Sequence, residues 1–416
     1  MKMRKVELGY LRISKRGRQY VLDALSHNRL SRGKYTAELE RRFAQLHQAK
    51  HGVFCNSGTS ALQISLAALR ERHGYQDDDE VLVPATTFIA TSNIVLQNNM
   101  RPVFVDVDPR TYNMDPARIE EAITSRSRAI IPVHLLGLPC DMDSILEIAR
   151  RRGLQVIEDS AETAFAQYNG RAVGSFGDLG CFSTYIAHIL VGGVGGLITT
   201  SDDELATMCR SLMAHGRDQI YLSIDDDDRI DDPTLEQVVK RRYSFVRTGY
   251  SYRATELEAA IALSELERWE EIIAKRRRNA ARLTELLKPF EGHLQLPTIP
   301  PVAEHSFMMF PIVVRGAVNR DGLVLALEHR GIETRYLFPL LSQPVYLRLF
   351  PNLEEQYPVA RMLSRQGFFI GIHQGLGPAD LEYVAETIGG YLGTAPGRSR
   401  RTHRADSART GFSAGR

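Results

Sequence analysis

The sequence predicts an α/β protein with a large domain built on a mostly parallel, doubly wound sheet and a smaller α+β domain after it. Over the first 260 residues, short apolar runs rich in β-branched residues alternate with segments of helical spacing, a pattern typical of such sheets. The chain has 416 residues, well beyond the ~150 of an ordinary single domain. Its 43% hydrophobic and 25% charged residues exclude a wholly disordered or fibrous protein.

The predicted strands of the large sheet are apolar runs that mostly end in small or polar residues. They span residues 81–88, 101–108, 128–137, 154–161 and 195–200. The helices predicted between them span residues 60–74, 91–99, 141–153 and 202–216. Several of these helices begin with a Ser, Thr or Asp cap. Because ligands of such sheets bind at the carboxyl ends of the strands, we expect the functional site in the loops that follow them.

A long periodic segment, residues 254–287, predicts a straight or kinked helix that connects the two domains. The smaller domain has strand candidates at 307–314 and 332–338 and helix candidates at 321–331 and 378–392. We therefore predict a large cofactor-binding domain over residues 1–265 and a small domain over residues 266–394. Residues 395–416 are small, polar and Arg-rich, which predicts a disordered basic tail.

Composition argues against several classes of protein. No apolar run approaches the ~20 residues of a membrane-spanning helix, and the first residues contain no apolar core of a secretory signal. We therefore expect a cytoplasmic protein without a membrane partner. The net charge of +2 does not favour nucleic acid as a partner. The four cysteines lie far apart with no CxxC pair, which indicates buried thiols rather than a metal site.

Two charged segments stand outside this pattern. The acidic run at residues 221–237 lacks the glycine and terminal glutamate of an EF-hand loop, so a solvated insertion is favoured over a metal-binding loop. Residues 397–416 carry six arginines and one aspartate. A solvated extension is again favoured there over contact with an anionic partner.

Four positions suit an aromatic, phosphorylated ligand. Residues 56–60 (Asn-Ser-Gly-Thr-Ser) precede a helix, where N–H groups bind phosphate, although an ordinary capped helix start looks the same. Phe88 can stack on a flat cofactor or pack in the core. Asp159 ends an apolar strand, where an ionised carboxylate needs a cationic partner such as a pyridinium nitrogen. The hydroxyl of Ser183 can donate to a phosphate.

Together these segments resemble the DegT/DnrJ/StrS family of nucleotide-sugar aminotransferases, which have the fold-type-I fold of pyridoxal-phosphate proteins. The resemblance is carried by NSGTSALQISLAAL, VIEDSAETAFAQYNGRAVGSFGDLGCFS and GYSYRATELEAAIALSELERWEEIIAKRR, and it covers nearly all of residues 10–394. It implies roles at matching positions: Phe88 stacks on the cofactor ring and Asp159 pairs with its nitrogen. Glu162, where the family has Gln or His, lies beside the ring hydroxyl.

The same resemblance implies that the phosphate is held by Ser183 and by the turn of Ser57, Gly58 and Thr59. Ser251 falls where the family usually has an Asn that reaches the cofactor of the neighbouring subunit. A homodimer with shared active sites is therefore implied, although the serine side chain is shorter.

The position of the family's cofactor-binding lysine, five residues after Ser183, holds His188. No lysine lies between Lys50 and Lys240, and an imidazole cannot bind the cofactor covalently as an amine does. Histidine is suited to proton transfer near neutral pH. The ColD-like sugar 3-dehydratase branch also has histidine here. In that branch the histidine takes a proton from carbon C4′ of pyridoxamine phosphate joined to a 4-keto sugar, and the 3-hydroxyl leaves.

The resemblance thus implies a 3-dehydratase of a nucleotide-linked 4-keto-6-deoxyhexose, with non-covalent pyridoxal or pyridoxamine phosphate and glutamate as a possible amino donor. Related enzymes with an iron–sulfur cluster carry clustered cysteines, which residues 217–250 lack, so no such cluster is expected. Two alternatives stay open. Glu162, Val194 and Ser251 depart from the family and suit a non-catalytic homologue with a binding or regulatory role. A divergent aminotransferase would need a lysine from elsewhere.

Overall fold

The computed structural model describes residues 4–28, 30–218, 232–241 and 243–393. Its strands are short and fall into three sheets. They are β1 (His51–Cys55), β2 (Glu80–Pro84), β3 (Arg101–Val105), β4 (Ser127–Ile130), β5 (Gln155–Asp159), β6 (Gln167–Tyr168), β7 (Arg171–Ala172), β8 (Leu179–Ser183), β9 (Gly196–Thr200), β10 (Leu294–Gln295), β11 (Ala303–Glu304), β12 (Met309–Val314), β13 (Thr334–Tyr336) and β14 (Gly367–Gly371).

The α-helices cover both faces of the largest sheet, and others pack against the second sheet. They are α1 (Lys15–Ser26), α2 (Lys34–Leu46), α3 (Gly58–His73), α4 (Ala90–Gln97), α5 (Pro116–Ala122), α6 (Met142–Arg152), α7 (Asp203–Met213), α8 (Asp232–Arg241), α9 (Glu256–Leu266), α10 (Trp269–Leu287), α11 (Arg320–Glu328), α12 (Pro344–Leu349), α13 (Leu353–Gln356), α14 (Pro358–Gln366) and α15 (Pro378–Gly393). Short 3₁₀ turns lie at Leu135–Gly137 and Lys288–Phe290.

The largest sheet has seven strands in the order β1-β9-β8-β5-β4-β2-β3. Only β9 runs antiparallel to its neighbours, while the pairs β2/β3, β2/β4, β4/β5 and β5/β8 are parallel. Since β1 and β8 are both antiparallel to β9, six strands point the same way and end at one edge. The predicted mostly parallel α/β sheet is therefore confirmed.

Helices pack on both faces of this sheet, because buried apolar side chains point alternately to one face and the other along its strands. Val81 and Val83 pack in a cluster with Leu62 of α3, whereas Leu82 packs in a cluster with Ile145 of α6. Successive strand side chains point to opposite faces, so buried apolar residues at adjacent positions require cover on both sides. This packing is the doubly wound arrangement that the sequence predicts.

Three differences from the sequence-based elements have local causes. Strands β1 (HGVFC) and β8 (LGCFS) were not predicted because each contains glycine and few β-branched residues. The apolar run 128–137 is a strand only through Ile130, and the chain then makes a 3₁₀ turn in which Leu136 has φ 55°. Residues 254–287 form two helices, α9 and α10, because Arg268 between them is non-helical.

The second sheet, β10-β12-β14-β13, is antiparallel and packs against α10, α11 and α15. The N-terminal segment also joins it. The N–H of Val6 donates to the carbonyl of Gly331, and the N–H of Glu333 donates to the carbonyl of Val6. The boundary predicted after residue 265 falls at the end of α9. The predicted tail, residues 395–416, and residues 221–231 of the acidic run lie outside the described residues.

A third, small sheet has the order β11-β6-β7.

Among the helices of the described ranges, none combines the length and the apolar character of a membrane-spanning segment.

Candidate active site

A cavity of about 720 Å³ opens at the carboxyl edge of the large sheet. Its wall contains most of the residues singled out from the sequence. They are Ser57, Gly58, Thr59, Phe88, Asp159, Glu162, Ser183 and His188. They come from the ends of β1, β2, β5 and β8 and the loops that follow, which is where ligands of parallel sheets bind.

One wall of the cavity is the turn between β1 and α3. Ser57 caps α3, since its Oγ accepts the N–H of Ser60 at 3.0 Å. The first N–H groups of a helix, here those of Gly58 and Thr59, have no partner within the helix and favour an anion. A Cβ at Gly58 would lie 2.7 Å from the Cβ of Ser183, so only glycine fits there. The turn and the Ser183 hydroxyl therefore form a cradle suited to a phosphate.

Asp159 is a buried carboxylate at the end of β5. Its Oδ2 accepts the hydroxyl of Thr91 at 2.8 Å, and its Oδ1 accepts the N–H of Ala161 at 3.2 Å. Both donors are neutral, and burial raises the pKa of Asp159 above its ordinary value. A cation in the cavity would reverse this shift by compensating the buried negative charge.

Glu162 is a second buried carboxyl group in the same wall. Its Oε2 accepts the N–H of Leu136 at 2.8 Å. Burial raises the pKa of Glu162 to about 8, and the negative charge of Asp159 acts in the same direction. At neutral pH Glu162 is therefore mostly protonated, and its second oxygen can donate a hydrogen bond.

Phe88 lies on the loop between β2 and α4 at the mouth of the cavity. Its side chain is 57% exposed, so the alternative of a core phenylalanine is wrong. An apolar ring left facing a cavity has a free face for a flat ligand.

His188 lies half-buried in the cavity wall, on the loop that follows β8. Its Nδ1 is buried and has no hydrogen-bond partner within the described part of the chain. Burial lowers the pKa of His188 to about 4. A hydrogen bond with the backbone of Ser183 opposes this shift, and the positive charge of Arg276 adds to it more weakly. The imidazole is therefore neutral at physiological pH, with a nitrogen open to accept a proton. No lysine is present among the described residues that line the cavity.

Comparison with known proteins decides the family. The profile of the DegT/DnrJ/EryC1/StrS aminotransferase family matches residues 12–389. The chain belongs to the DegT/DnrJ/EryC1/StrS family. It is 37% identical to the GDP-perosamine synthase of Caulobacter vibrioides over 89% of this chain and 94% of that protein. It is 41% identical to the UDP-N-acetyl-3-dehydro-alpha-D-glucosamine 3-aminotransferase of Acidithiobacillus ferrooxidans, over 84% of this chain and 86% of that one.

Among solved structures, the chain is similar to E. coli GDP-4-keto-6-deoxy-D-mannose-3-dehydratase with bound hydrated PLP. The TM-score is 0.83 at 27% identity, over 93% of this chain and 100% of that chain. The predicted family and the fold-type-I fold are thereby confirmed. The protein is a DegT/DnrJ/EryC1/StrS-family enzyme with the fold of the pyridoxal-phosphate-dependent aminotransferases.

One predicted site residue of this DegT-family chain, Ser251, does not lie at the cavity. Ser251 is exposed and is absent from the described wall. It lies near the turn between β1 and α3, here called the phosphate-type turn, because the N–H of Asn56 donates to the carbonyl of Tyr252 at 2.8 Å. Ser251 therefore does not line the cavity of its own subunit, and its predicted contact with a second subunit stays a prediction.

The sequence reasoning missed parts of the wall that come from distant segments. Residues 7–9 and Glu333 and Arg335 of the smaller sheet line the cavity. The N–H of Leu8 donates to Glu333 at 3.0 Å, which ties the two segments together. Thr91 was also missed. No local motif marks it, since its role is to donate a hydrogen bond to Asp159, which lies 68 positions away in the chain.

Proposed function

We propose that this DegT-family protein is a 3-dehydratase of nucleotide-linked 4-keto-6-deoxyhexoses, with pyridoxal or pyridoxamine phosphate held non-covalently and His188 as the base. The observation that carries the proposal is the unpartnered Nδ1 of His188 in a cavity wall that, within the described residues, has no lysine. An amine is needed to bind the cofactor covalently as an imine, which an imidazole cannot form, whereas an imidazole can accept and donate protons.

The residues present fit the cofactor. Asp159 would pair with the pyridine nitrogen, because it is buried with only neutral donors. The α3 turn and Ser183 would hold the phosphate, and Phe88 would face the ring. Protonated Glu162 would donate to the ring hydroxyl oxygen, where a charged carboxylate would repel it. When bound, the cofactor supplies an electron sink beside the sugar.

His188 would accept, on a ring nitrogen, the proton that leaves carbon C4′ of the cofactor. Because the imidazole is neutral over the physiological pH range, it needs no prior deprotonation to act as a base. Because its pKa is low, the protonated form is a stronger acid than an ordinary imidazolium and releases its proton readily to the leaving 3-hydroxyl. The apolar part of the wall, which includes Met308 and Phe369, limits the access of water to this transfer.

With glutamate as the amino donor, one turnover removes one oxygen atom from the sugar and releases one ammonia and one 2-oxo acid. The relatives and the solved structure that name GDP- or UDP-linked sugars support a nucleotide-sugar substrate. We further propose a cytoplasmic homodimer in which Ser251 faces the site of the partner subunit. Its exposed position beside the phosphate-type turn supports this placement.

A second candidate is an aminotransferase, favoured by the activities named for the two sequence relatives. It predicts that the amino group stays in the sugar rather than leaving as ammonia. A third is a non-catalytic homologue, favoured by Val194 and Ser251, which depart from the family pattern. It predicts cofactor binding without hydrogen exchange at C4′.

The test is a product analysis. Purified protein is incubated with pyridoxamine phosphate, glutamate and GDP- or CDP-4-keto-6-deoxyhexose, and ammonia and sugar products are measured. The proposal expects ammonia equal to the 3-deoxy sugar formed, and loss of both with His188→Asn. An amino sugar without ammonia would establish the aminotransferase. Cofactor binding without turnover of either donor would favour the non-catalytic homologue.

A further inference from the structure

Arg276 in α10 is a buried cation with an unusual set of partners. Its side chain is 0% exposed. Within the described residues, its nitrogens donate to neutral oxygens and form no ion pair. Nε donates to Gln374 Oε1 at 3.1 Å, and Nη1 donates to the carbonyls of Phe307 and Met308 at 3.1 and 2.9 Å. Nη2 lies 3.5 Å from the carbonyl of His188. A buried charge without an opposite charge is costly, so its retention calls for a reason.

Two of the four acceptors of Arg276 belong to the wall of the candidate active site. Met308 and His188 both line the cavity, although they are 120 positions apart in the chain. Arg276 donates to the backbone of both residues, and a planar guanidinium fixes its acceptors in direction as well as distance. The loop that carries the imidazole is therefore tied to the smaller domain through one side chain.

We propose that Arg276 is a positioning residue for His188: it holds the backbone of the His188 loop against the wall at Met308 and places a positive charge near the imidazole. This inference rests on the proposed function, since it assigns Arg276 to the proton transfer at His188.

The electrostatics agree with this geometry. Burial lowers the pKa of Arg276 to about 9, which leaves it charged at neutral pH. Its charge adds to burial in lowering the pKa of His188 and that of His373. The other ionisable side chains of the cavity are Glu7, Asp159, Glu162, Tyr185, Glu333 and Arg335. The influences on the pKa of His188 are burial, a hydrogen bond with the Ser183 backbone and the charge of Arg276.

The test uses the cofactor-free full-length protein, with the histidines titrated individually by NMR. Arg276→Met removes the charge and keeps an apolar side chain in the buried space. We expect the pKa of His188 and of His373 to rise by roughly one unit, about tenfold in proton affinity. His47, which is buried but not influenced by Arg276, is the internal control and should not move. An unchanged His188 in folded Arg276→Met overturns the proposal, and so does an equal shift of His47.

Arg276→Lys decides the issue if the methionine variant does not fold. Lysine keeps the charge but not the forked contacts, so we expect the low pKa of His188 to persist. Hydrogen exchange at C4′ of bound pyridoxamine phosphate should slow about tenfold with an unchanged Kd. A wild-type exchange rate would contradict the positioning role. The titrations involve neither cofactor nor sugar, so they stand even if the protein is not a dehydratase.

Discussion

Gly58 and Ser183 meet where the first turn of α3 passes the end of β8, and a Cβ at Gly58 would lie 2.7 Å from the Cβ of Ser183. The two residues are 125 positions apart, and both contribute to the phosphate-type cradle. The close approach places the first turn of α3 and the Ser183 hydroxyl side by side in the cavity wall. The Ser183 side chain leaves no space for a larger residue at position 58.

We expect Gly58→Ala to weaken the binding of pyridoxal phosphate by about tenfold, because the methyl group forces α3 and β8 apart. The measurement is a fluorescence titration of the apoprotein with the cofactor. Gly390→Ala is the matched control, since nothing lies within 4 Å of its added Cβ in α15. Wild-type affinity in Gly58→Ala would show that the phosphate binds elsewhere.

Thr91→Val should also weaken cofactor binding. The Thr91 hydroxyl lowers the pKa of Asp159 by donating to it, so its loss makes the carboxyl hold a proton more tightly. A neutral Asp159 pairs poorly with a protonated ring nitrogen, and we expect roughly tenfold weaker binding at pH 7. The loss should shrink as the pH rises and Asp159 ionises. Thr207→Val, whose hydroxyl bonds a helix carbonyl on α7, serves as control. A pH-independent loss would contradict this account.

Glu162 makes the stability of the apoprotein depend on pH. Its pKa is about 8 in the folded protein and about 4.5 in the unfolded chain, so the folded state binds more protons between these values. Its contribution is complete below about pH 4.5 and is lost as the pH rises through 8. Glu162→Gln should reduce this fall in the free energy of unfolding, by up to about 1.4 kcal/mol per pH unit. Urea unfolding of both proteins from pH 5 to 8.5 measures it. Parallel curves would show that Glu162 is ionised in the fold.

Replacing His188 by lysine should change cofactor binding from non-covalent to covalent. Borohydride reduction should fix pyridoxal phosphate to the chain in His188→Lys, because an amine then reaches the cavity. The wild-type protein should release all of its cofactor on denaturation after the same treatment. Mass spectrometry of the denatured chains gives the result. Labelling of a lysine in the wild type would mean that an amine enters from elsewhere, and would revive the aminotransferase candidate.

The sequence by itself determined the class of fold and most of the site. Strand–helix alternation predicts a parallel sheet, and parallel strands deliver their following loops to one edge, so Phe88 and Asp159 had to lie at the same edge. The family resemblance added Ser183 and the α3 turn to this site. Departures that are visible as single letters, such as His188, needed no structure to be recognised. Strands β1 and β8 escaped prediction because glycine-containing five-residue segments are stabilised by their neighbours rather than by their own propensity.

Only the tertiary structure decided which distant groups act on those residues. The exposure of Phe88, the donor to Asp159 from Thr91 and the buried Arg276 behind His188 depend on contacts between segments up to 88 positions apart. Burial then set the protonation of Glu162 and His188, in opposite directions from their ordinary values. A pKa depends on the solvent and charges around a group in three dimensions, and the order of residues along the chain does not contain that information.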